Sequence, residues 1–99
     1  MKKDNIPDLD NALELLGSKW TLQIVSALLD GNDRFNEIQR DCDVCPRTLS
    51  SRLDELESRG VITKKVYSQT PPKVEYSLTQ KGKSLRSVID AISNWSASA

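Results

Sequence analysis

The chain has 99 residues, no histidine, and 14 Lys and Arg against 14 Asp and Glu, which gives a formal net charge of zero. Without histidine, a single chain has no imidazole base, no Ser-His triad and no histidine-ligated metal, so we expect no catalysis, no cofactor and no metal site. The length predicts one domain over residues 1–99. A domain this small buries only about two-thirds of the surface that its unfolded chain exposes, so association with a second copy would stabilise it.

The charges are distributed unevenly along the sequence. Before Pro46 there are five Lys and Arg against nine Asp and Glu, and from Pro46 onward there are nine against five. Such asymmetry indicates an anionic partner for the basic half, with chance and solvation as the alternative. Because no apolar run is long enough to span a membrane or to direct secretion, we expect a cytoplasmic protein whose cysteines are reduced.

The N-terminal part of the sequence predicts two amphipathic helices. Leucines at helical spacing predict a first helix from about Asp8 to Leu16, with Gly17 just beyond its end. The segment SKWTLQIVSALLDG predicts a second helix, with Ser18 as its N-cap and Gly31 as its stop. The apolar residues of the two helices, which we expect in the core, are Leu9, Leu13, Leu16, Trp20, Ile24, Val25 and Leu28.

A candidate helix-turn-helix follows. The segment NDRFNEIQRDC predicts a very short extended piece around Arg34 and Phe35 and a short helix that opens at Asn36. After the turn CDVC, a longer recognition helix is predicted over about 46–59, with Pro46 at its first position and Gly60 at its end. Its inward stripe would consist of Leu49, Leu53 and Leu56. On geometry alone, an αα-hairpin without a nucleic-acid role has the same pattern.

The segments VITKKVY and KVEYSL alternate like β-strands and predict a hairpin, or wing, over about 61–79. The loop between them contains Pro71 and Pro72 and is longer and stiffer than closure requires, since about 2 to 5 residues with glycine or asparagine usually suffice. We expect this loop to hold Lys73 out as a basic tip, because a stiff loop loses less entropy when it contacts a partner.

A last helix is predicted over QKGKSLRSVIDAISNW, capped by Thr79. The apolar residues that recur at helical spacing along it are Leu85, Val88, Ile89, Ile92 and Trp95. They offer more hydrophobic surface than so small a monomer covers, which predicts contact with a second copy.

With the leucine stripe of the recognition helix turned inward, the residues of its first two turns point outward or lie at its flank. These residues are Arg47, Thr48, Ser50, Ser51 and Arg52. Their side chains can donate to phosphates or to base edges in a major groove. Asp54 and Glu55 would be repelled by phosphates, so only the N-terminal half of the helix can approach DNA closely. In isolation, a solvated helix face explains the same residues equally well.

Three separated segments, LELLGSKWTLQIVSALLDGNDRFNEI, CPRTLSSRLDELESRGVI and PPKVEYSLTQKG, resemble the HxlR-type branch of the MarR-like transcription regulators. The resemblance runs from about Leu9 to Trp95 and keeps the segments in the family's order. It implies a winged helix-turn-helix fold that is mainly α with a small β-hairpin (α+β). The implied order is helix, helix, helix, recognition helix, two-stranded wing and C-terminal helix.

The resemblance also implies partners. It implies a homodimer, formed mainly by the first and last helices, that binds double-stranded DNA. Two recognition helices would lie in successive major grooves, and two wings near the flanking minor grooves. By position, Arg47, Thr48, Ser50 and Ser51 match the family's recognition helix, and Lys73 matches the basic tip of its wing.

The two cysteines, Cys42 and Cys45, form a C-x-x-C across the turn before the recognition helix. A redox-responsive pair is one hypothesis, because a thiol at a helix N-terminus has a lowered pKa. We favour the interpretation that Cys42 packs as a small apolar residue and that Cys45 is incidental. Structural zinc needs four ligands, and one chain offers only these two thiols. Thiol-sensing relatives use a cysteine ahead of the first helix, where this sequence has Pro7 and no cysteine.

We therefore expect a dimeric, sequence-specific DNA-binding transcription regulator. The alternative is a winged-helix module that docks protein through its wing or recognition helix and has no specific DNA site, which the zero net charge allows. Salt dependence separates the two, because binding that neutralises phosphates weakens steeply as salt rises and protein docking need not.

Overall fold

The structure is a computed structural model that describes residues 9–98. In chain order its elements are α1 (Leu9–Leu16), α2 (Thr21–Leu29), α3 (Phe35–Cys42), α4 (Pro46–Ser58), β1 (Ile62–Tyr67), β2 (Lys73–Leu78), α5 (Gln80–Lys83) and α6 (Leu85–Ala97). The strands form one antiparallel two-stranded sheet. This order is that of a winged helix-turn-helix, so the predicted α+β fold class is confirmed.

The core lies between the helices and the base of the hairpin. The leucine stripe of α4 is buried as predicted, because Leu49, Leu53 and Leu56 recur at the helical repeat and are 0%, 2% and 0% exposed. Each such side chain contributes about 1.5–3 kcal/mol through burial. The other apolar side chains that are almost fully buried are Ile24, Val25, Ala27, Ile38, Val61 and Ile62.

The start of α2 differs from the prediction. The helix begins at Thr21, because the chain first makes a turn in which Trp20 takes a left-handed conformation at φ 80°. Ser18 is therefore not its N-cap, and the Ser18 hydroxyl instead donates to the Glu14 carbonyl of α1 over 3.3 Å. Trp20 is half-buried and packs against the core. The predicted start of α1 at Asp8 lies outside the described residues.

The hairpin is joined to the segment that precedes α3. The backbone N–H of Tyr76 donates to the carbonyl of Asp33 over 2.9 Å, so the short extended piece predicted here runs beside β2. Arg34 has an extended backbone and occupies the N-cap of α3. The helix consequently begins at Phe35, one residue before the predicted Asn36.

The C-terminal helical segment begins at its predicted cap. The Thr79 hydroxyl accepts a hydrogen bond from the Gly82 N–H over 3.1 Å. A Cβ at Gly82 would collide with the carbonyl of Val61, so only glycine allows this helix to pack directly against the start of the hairpin. The predicted single helix is interrupted at Ser84, whose hydroxyl donates to the Lys81 carbonyl over 2.6 Å and competes with the helical ladder.

Helices α1 and α6 carry apolar side chains that the protomer leaves uncovered. The prediction that Leu9 and Leu13 lie in the core is wrong: they are 42% and 52% exposed, and within α1 only Leu15 is buried. We call the exposed apolar residues of these two helices the terminal-helix face, and they are Leu9, Leu13, Val88, Ile92 and Trp95. Among the described residues, no helix combines the length and apolar character needed to cross a membrane.

Candidate nucleic-acid interface

The first turns of α4 form an exposed polar surface. Pro46 occupies the first helical position, and the side chain of the N-cap residue Cys45 makes no hydrogen bond to the helix backbone. Because the first-turn N–H groups have no side-chain cap and the peptide dipoles align, this end of the helix carries a partial positive charge. The side chains of this surface are Arg47, Ser50 and Ser51, all exposed, and Thr48, half-buried beside them.

Arg47 supplies the full positive charge of this surface. Within residues 9–98 its guanidinium makes no hydrogen bond or ion pair, so its donors face solvent. A guanidinium in this state can fork onto a phosphate or onto the edge of a guanine. Asp54, which is exposed two turns further along α4, would repel an anion. A nucleic acid can therefore approach only the first half of the helix.

Arg52 faces the protein and not this surface. Its Nε donates to the Lys19 carbonyl over 2.9 Å, and its Nη1 lies 3.8 Å from Oε1 of Glu55. Only 24% of the side chain is exposed. The structure thus brings together the other four predicted residues of α4 and separates Arg52 from them. A DNA contact by Arg52 stays a prediction.

The hairpin carries a second group of cations. Lys64 and Lys65 of β1 are exposed. Lys73 opens β2 directly opposite Tyr67, with its Nζ 3.3 Å from Oε2 of Glu75 and 5.1 Å from the centroid of the Tyr67 ring. The prediction that the proline loop holds Lys73 out as its tip is wrong, because Tyr67 across the hairpin and Glu75 on the same strand draw the side chain back onto the sheet. Residues 68–72 form the tip.

Tyr67 and Glu75 organise the face of the hairpin that carries Lys73. The Tyr67 hydroxyl donates to Oε1 of Glu75 over 2.9 Å, and the Nζ of Lys65 lies 5.1 Å from the centroid of the same ring. The Tyr67 hydroxyl and the Lys73 ammonium hold the pKa of the Glu75 carboxyl below its usual value. Sequence reasoning missed this group. Its signal was the alternation that places Lys65, Tyr67, Lys73 and Glu75 on one face of the paired strands.

The two thiols have different surroundings. Cys42 is half-buried, its Sγ donates to the Gln23 carbonyl over 3.5 Å, and burial raises its pKa. Cys45 is exposed, with its Sγ 3.1 Å from Oγ1 of Thr48, and that hydrogen bond lowers its pKa. Both are free thiols. In the part of the chain that the structure describes, no group of three His, Cys, Asp or Glu residues could hold a metal ion.

The chain is similar to a known protein family and to several known proteins. A family model described as HxlR-like helix-turn-helix matches residues 15–99. The chain belongs to the HxlR-like helix-turn-helix family. It is 42% identical over 90 residues to the HTH-type transcriptional regulator YvaP of Bacillus subtilis, covering 90% of this chain and 83% of the relative.

Solved structures agree with the HxlR-like assignment. The crystal structure of the HTH-type transcriptional regulator ytcD superposes with a TM-score of 0.85 at 39% identity, over 90% of this chain and 92% of the other. The reduced form of the transcriptional regulator YodB from B. subtilis gives a TM-score of 0.80 at 37% identity, over 90% and 88%.

The match to the HxlR-like family model confirms the resemblance that the sequence shows to HxlR-type regulators. The chain is a DNA-binding transcription regulator of the helix-turn-helix class, and its relatives are regulators and not enzymes, in agreement with the expectation of no catalysis.

Proposed function

We propose that this HxlR-like protein binds a specific, two-fold symmetric DNA sequence as a homodimer. The observation that carries the proposal is the exposed polar surface at the start of α4, where Arg47 makes no hydrogen bond or ion pair with any described residue. A guanidinium held on a rigid helix with no competing partner is suited to read a base edge.

In this proposal α4 enters the major groove by its N-terminal end. Arg47 and Ser50 contact base edges, and Thr48 and Ser51 contact phosphates or bases beside them. The helix dipole supports the same orientation, since its positive end faces the phosphates. Asp54 keeps the second half of the helix away from the backbone, so the helix enters at an angle.

The hairpin is the wing of the complex. It follows α4 directly in the chain, and β1 packs against α4, so its cations lie at a fixed distance from the recognition surface. We propose that Lys64, Lys65 and Lys73 contact phosphates near the flanking minor groove. Lys73 would then exchange its ion pair with Glu75 for a phosphate. The net gain is smaller than for Lys64, which has no ion pair among the described residues.

The terminal-helix face supports the homodimer. Trp95 is 80% exposed although it is the largest apolar residue of α6, and monomers rarely leave apolar residues clustered at the surface in this way. A groove of about 450 Å³ lies at the edge of this face and could receive apolar side chains of a second copy. The apolar residues lining the groove are Leu16, Trp20, Leu22, Ile89 and Ile92. A two-fold symmetric pairing of this face brings two copies of α4 to one DNA duplex.

We propose that the protein binds chromosomal DNA in the cytoplasm, where Cys42 and Cys45 stay reduced at rest. We propose that the whole chain acts as one winged-helix domain there. No observation in the described residues favours the protein-docking alternative over DNA binding.

Selection of bound sequences from random duplexes tests the proposal. We expect enrichment of a motif with two-fold symmetry, together with a logarithmic affinity that falls linearly with the logarithm of salt concentration. If no sequence is enriched and affinity hardly responds to salt, DNA is not the ligand of this surface, and docking of a protein becomes the better account.

A further inference from the structure

Two arginines at the middle and the end of α4 are turned toward the segment that begins with α1. Besides the 2.9 Å bond from its Nε to the Lys19 carbonyl, Arg52 has its Nη1 3.8 Å from Oε1 of Glu55, which is close enough for an ion pair but not for a hydrogen bond. Lys19 lies in the turn between α1 and α2. The first arginine therefore joins the middle of the recognition helix to the turn between α1 and α2.

Arg59 makes the second attachment. It caps the C-terminal end of α4, and its Nη2 donates to the Asn11 carbonyl over 3.0 Å and to Asn11 Oδ1 over 3.2 Å. Its Nη1 lies 3.8 Å from Oε1 of Glu14. The charged Arg59 side chain is only 31% exposed, because these acceptors hold its guanidinium against the protein. Two arginine side chains thus attach α4 to α1 and to the turn after it.

The two arginines lie on the same face of α4. Residues seven apart in an α-helix lie on the same face and about 10.5 Å apart along the axis. Two separated attachments fix the direction of one helix relative to another, whereas a single attachment fixes only a point. In α1, Leu15 is buried and Leu16 is partly buried against the core, so the attachment by Arg59 adds polar contacts to a small apolar contact surface.

We infer that Arg52 and Arg59 are positioning residues that fix the angle between the recognition helix and α1. The inference rests on the proposed function, in which α1 belongs to the dimer interface and α4 enters the major groove. Since α1 is then fixed by the partner, its angle to α4 determines the distance between the two recognition helices. In this inference Arg52 and Arg59 select the spacing between DNA half-sites without contacting DNA, which replaces the predicted DNA contact by Arg52.

The spacing preference can be measured directly. Duplexes carry two copies of the selected half-site, and the spacer is changed one base pair at a time, which moves the half-sites by about 3.4 Å and rotates them by about 35° per step. In the double variant Arg52→Ala, Arg59→Ala, the ratio of affinities between the best spacer and the other spacers should fall about tenfold from its wild-type value. A tenfold change corresponds to about 1.4 kcal/mol. The affinity of the double variant for a duplex with a single half-site should stay within about twofold of wild type.

Arg86→Ala is the matched control. Arg86 also donates to a backbone carbonyl, that of Leu29 at 3.4 Å, but this bond joins α6 to α2 and not to α4. The control should keep the spacer preference. Should the double variant fail to fold, the variant Asn11→Ala, Glu14→Ala removes acceptors of Arg59 from the α1 side and leaves α4 intact. It should shift the spacer preference in the same direction.

The outcomes are distinct. If the wild type binds symmetric sites with a sharp spacer preference and the variants keep that preference, the inference is overturned while the proposed function stands. A second contrary result is that Arg52→Ala alone lowers the affinity for a single half-site and makes the salt slope shallower by about 0.9 for each phosphate no longer neutralised. That result would show that Arg52 contacts DNA and would also overturn the inference. A wild type without any spacer preference would instead contradict the proposed dimer.

Discussion

Arg47→Ala tests the recognition surface at the residue with the clearest role. Arg47 is exposed and unpaired among the described residues, so its removal leaves no buried group without a partner. The free energy of unfolding should therefore change by less than about 0.5 kcal/mol. One bidentate contact with guanine contributes about 1–3 kcal/mol of discrimination, and a symmetric site holds two such contacts, so specific binding should weaken by about 2–6 kcal/mol. The smaller value already means about 30-fold in Kd.

The assay is fluorescence anisotropy on the selected duplex and on duplexes with each base pair of one half-site exchanged. The Ala variant should lose discrimination at one position and keep it at the others. Arg47→Lys is the control, because lysine keeps the charge but lacks the planar fork, so it should keep the salt slope and lose the discrimination. Equal weakening on all sequences would assign Arg47 to a phosphate. Unchanged affinity would remove the start of α4 from the interface and refute the reasoning.

Four further predictions address the dimer, the wing and the two thiols. Sedimentation at micromolar concentration should give about twice the chain mass of 11.1 kDa, and Ile92→Asp should give monomers, whereas a wild-type monomer that protects a symmetric site would contradict the dimer. Lys73→Ala should weaken specific and random duplexes alike and lower the salt slope by about 0.9 for each phosphate no longer neutralised, and an unchanged slope would remove Lys73 from the DNA. At neutral pH, iodoacetamide should modify Cys45 before Cys42, since a lowered pKa gives more thiolate and a raised pKa less, and mass mapping that shows the reverse order would contradict these surroundings. Replacement of both cysteines by serine should leave DNA affinity within about threefold, and a tenfold loss would contradict an incidental role for Cys45.

Periodicity in the sequence was sufficient to predict the elements that position the interface. Leu49, Leu53 and Leu56 recur at the helical repeat, and burial follows directly from that spacing. The cap at Thr79 was predictable for a similar reason, because its hydroxyl acts on a backbone N–H only three residues away. Local chemistry determines both features, so no knowledge of the rest of the fold was required.

The surroundings of long side chains were harder to predict, because contacts outside the local pattern determine them. A helical wheel gives the direction in which Arg52 leaves α4, but its long side chain turns back to Lys19, which is 33 residues away in sequence. Lys73 was assigned to the loop tip because the prolines are adjacent to it, whereas its side chain contacts Tyr67 across the hairpin and Glu75 on the same strand. The positive φ of Trp20 was also not predicted, because a tryptophan gives no local signal for a left-handed conformation.

The central claim is that the start of α4 and the hairpin contact DNA together. Titration of isotopically labelled protein with the selected duplex, followed by two-dimensional NMR of the backbone amides, tests it most directly. We predict that the largest shift changes fall in residues 45–51 and 63–74, with α1 and α6 nearly unchanged in a dimer that is already formed. Changes confined to α1, α3 or α6, with the amides of Arg47 and Ser50 unaffected, would contradict the account.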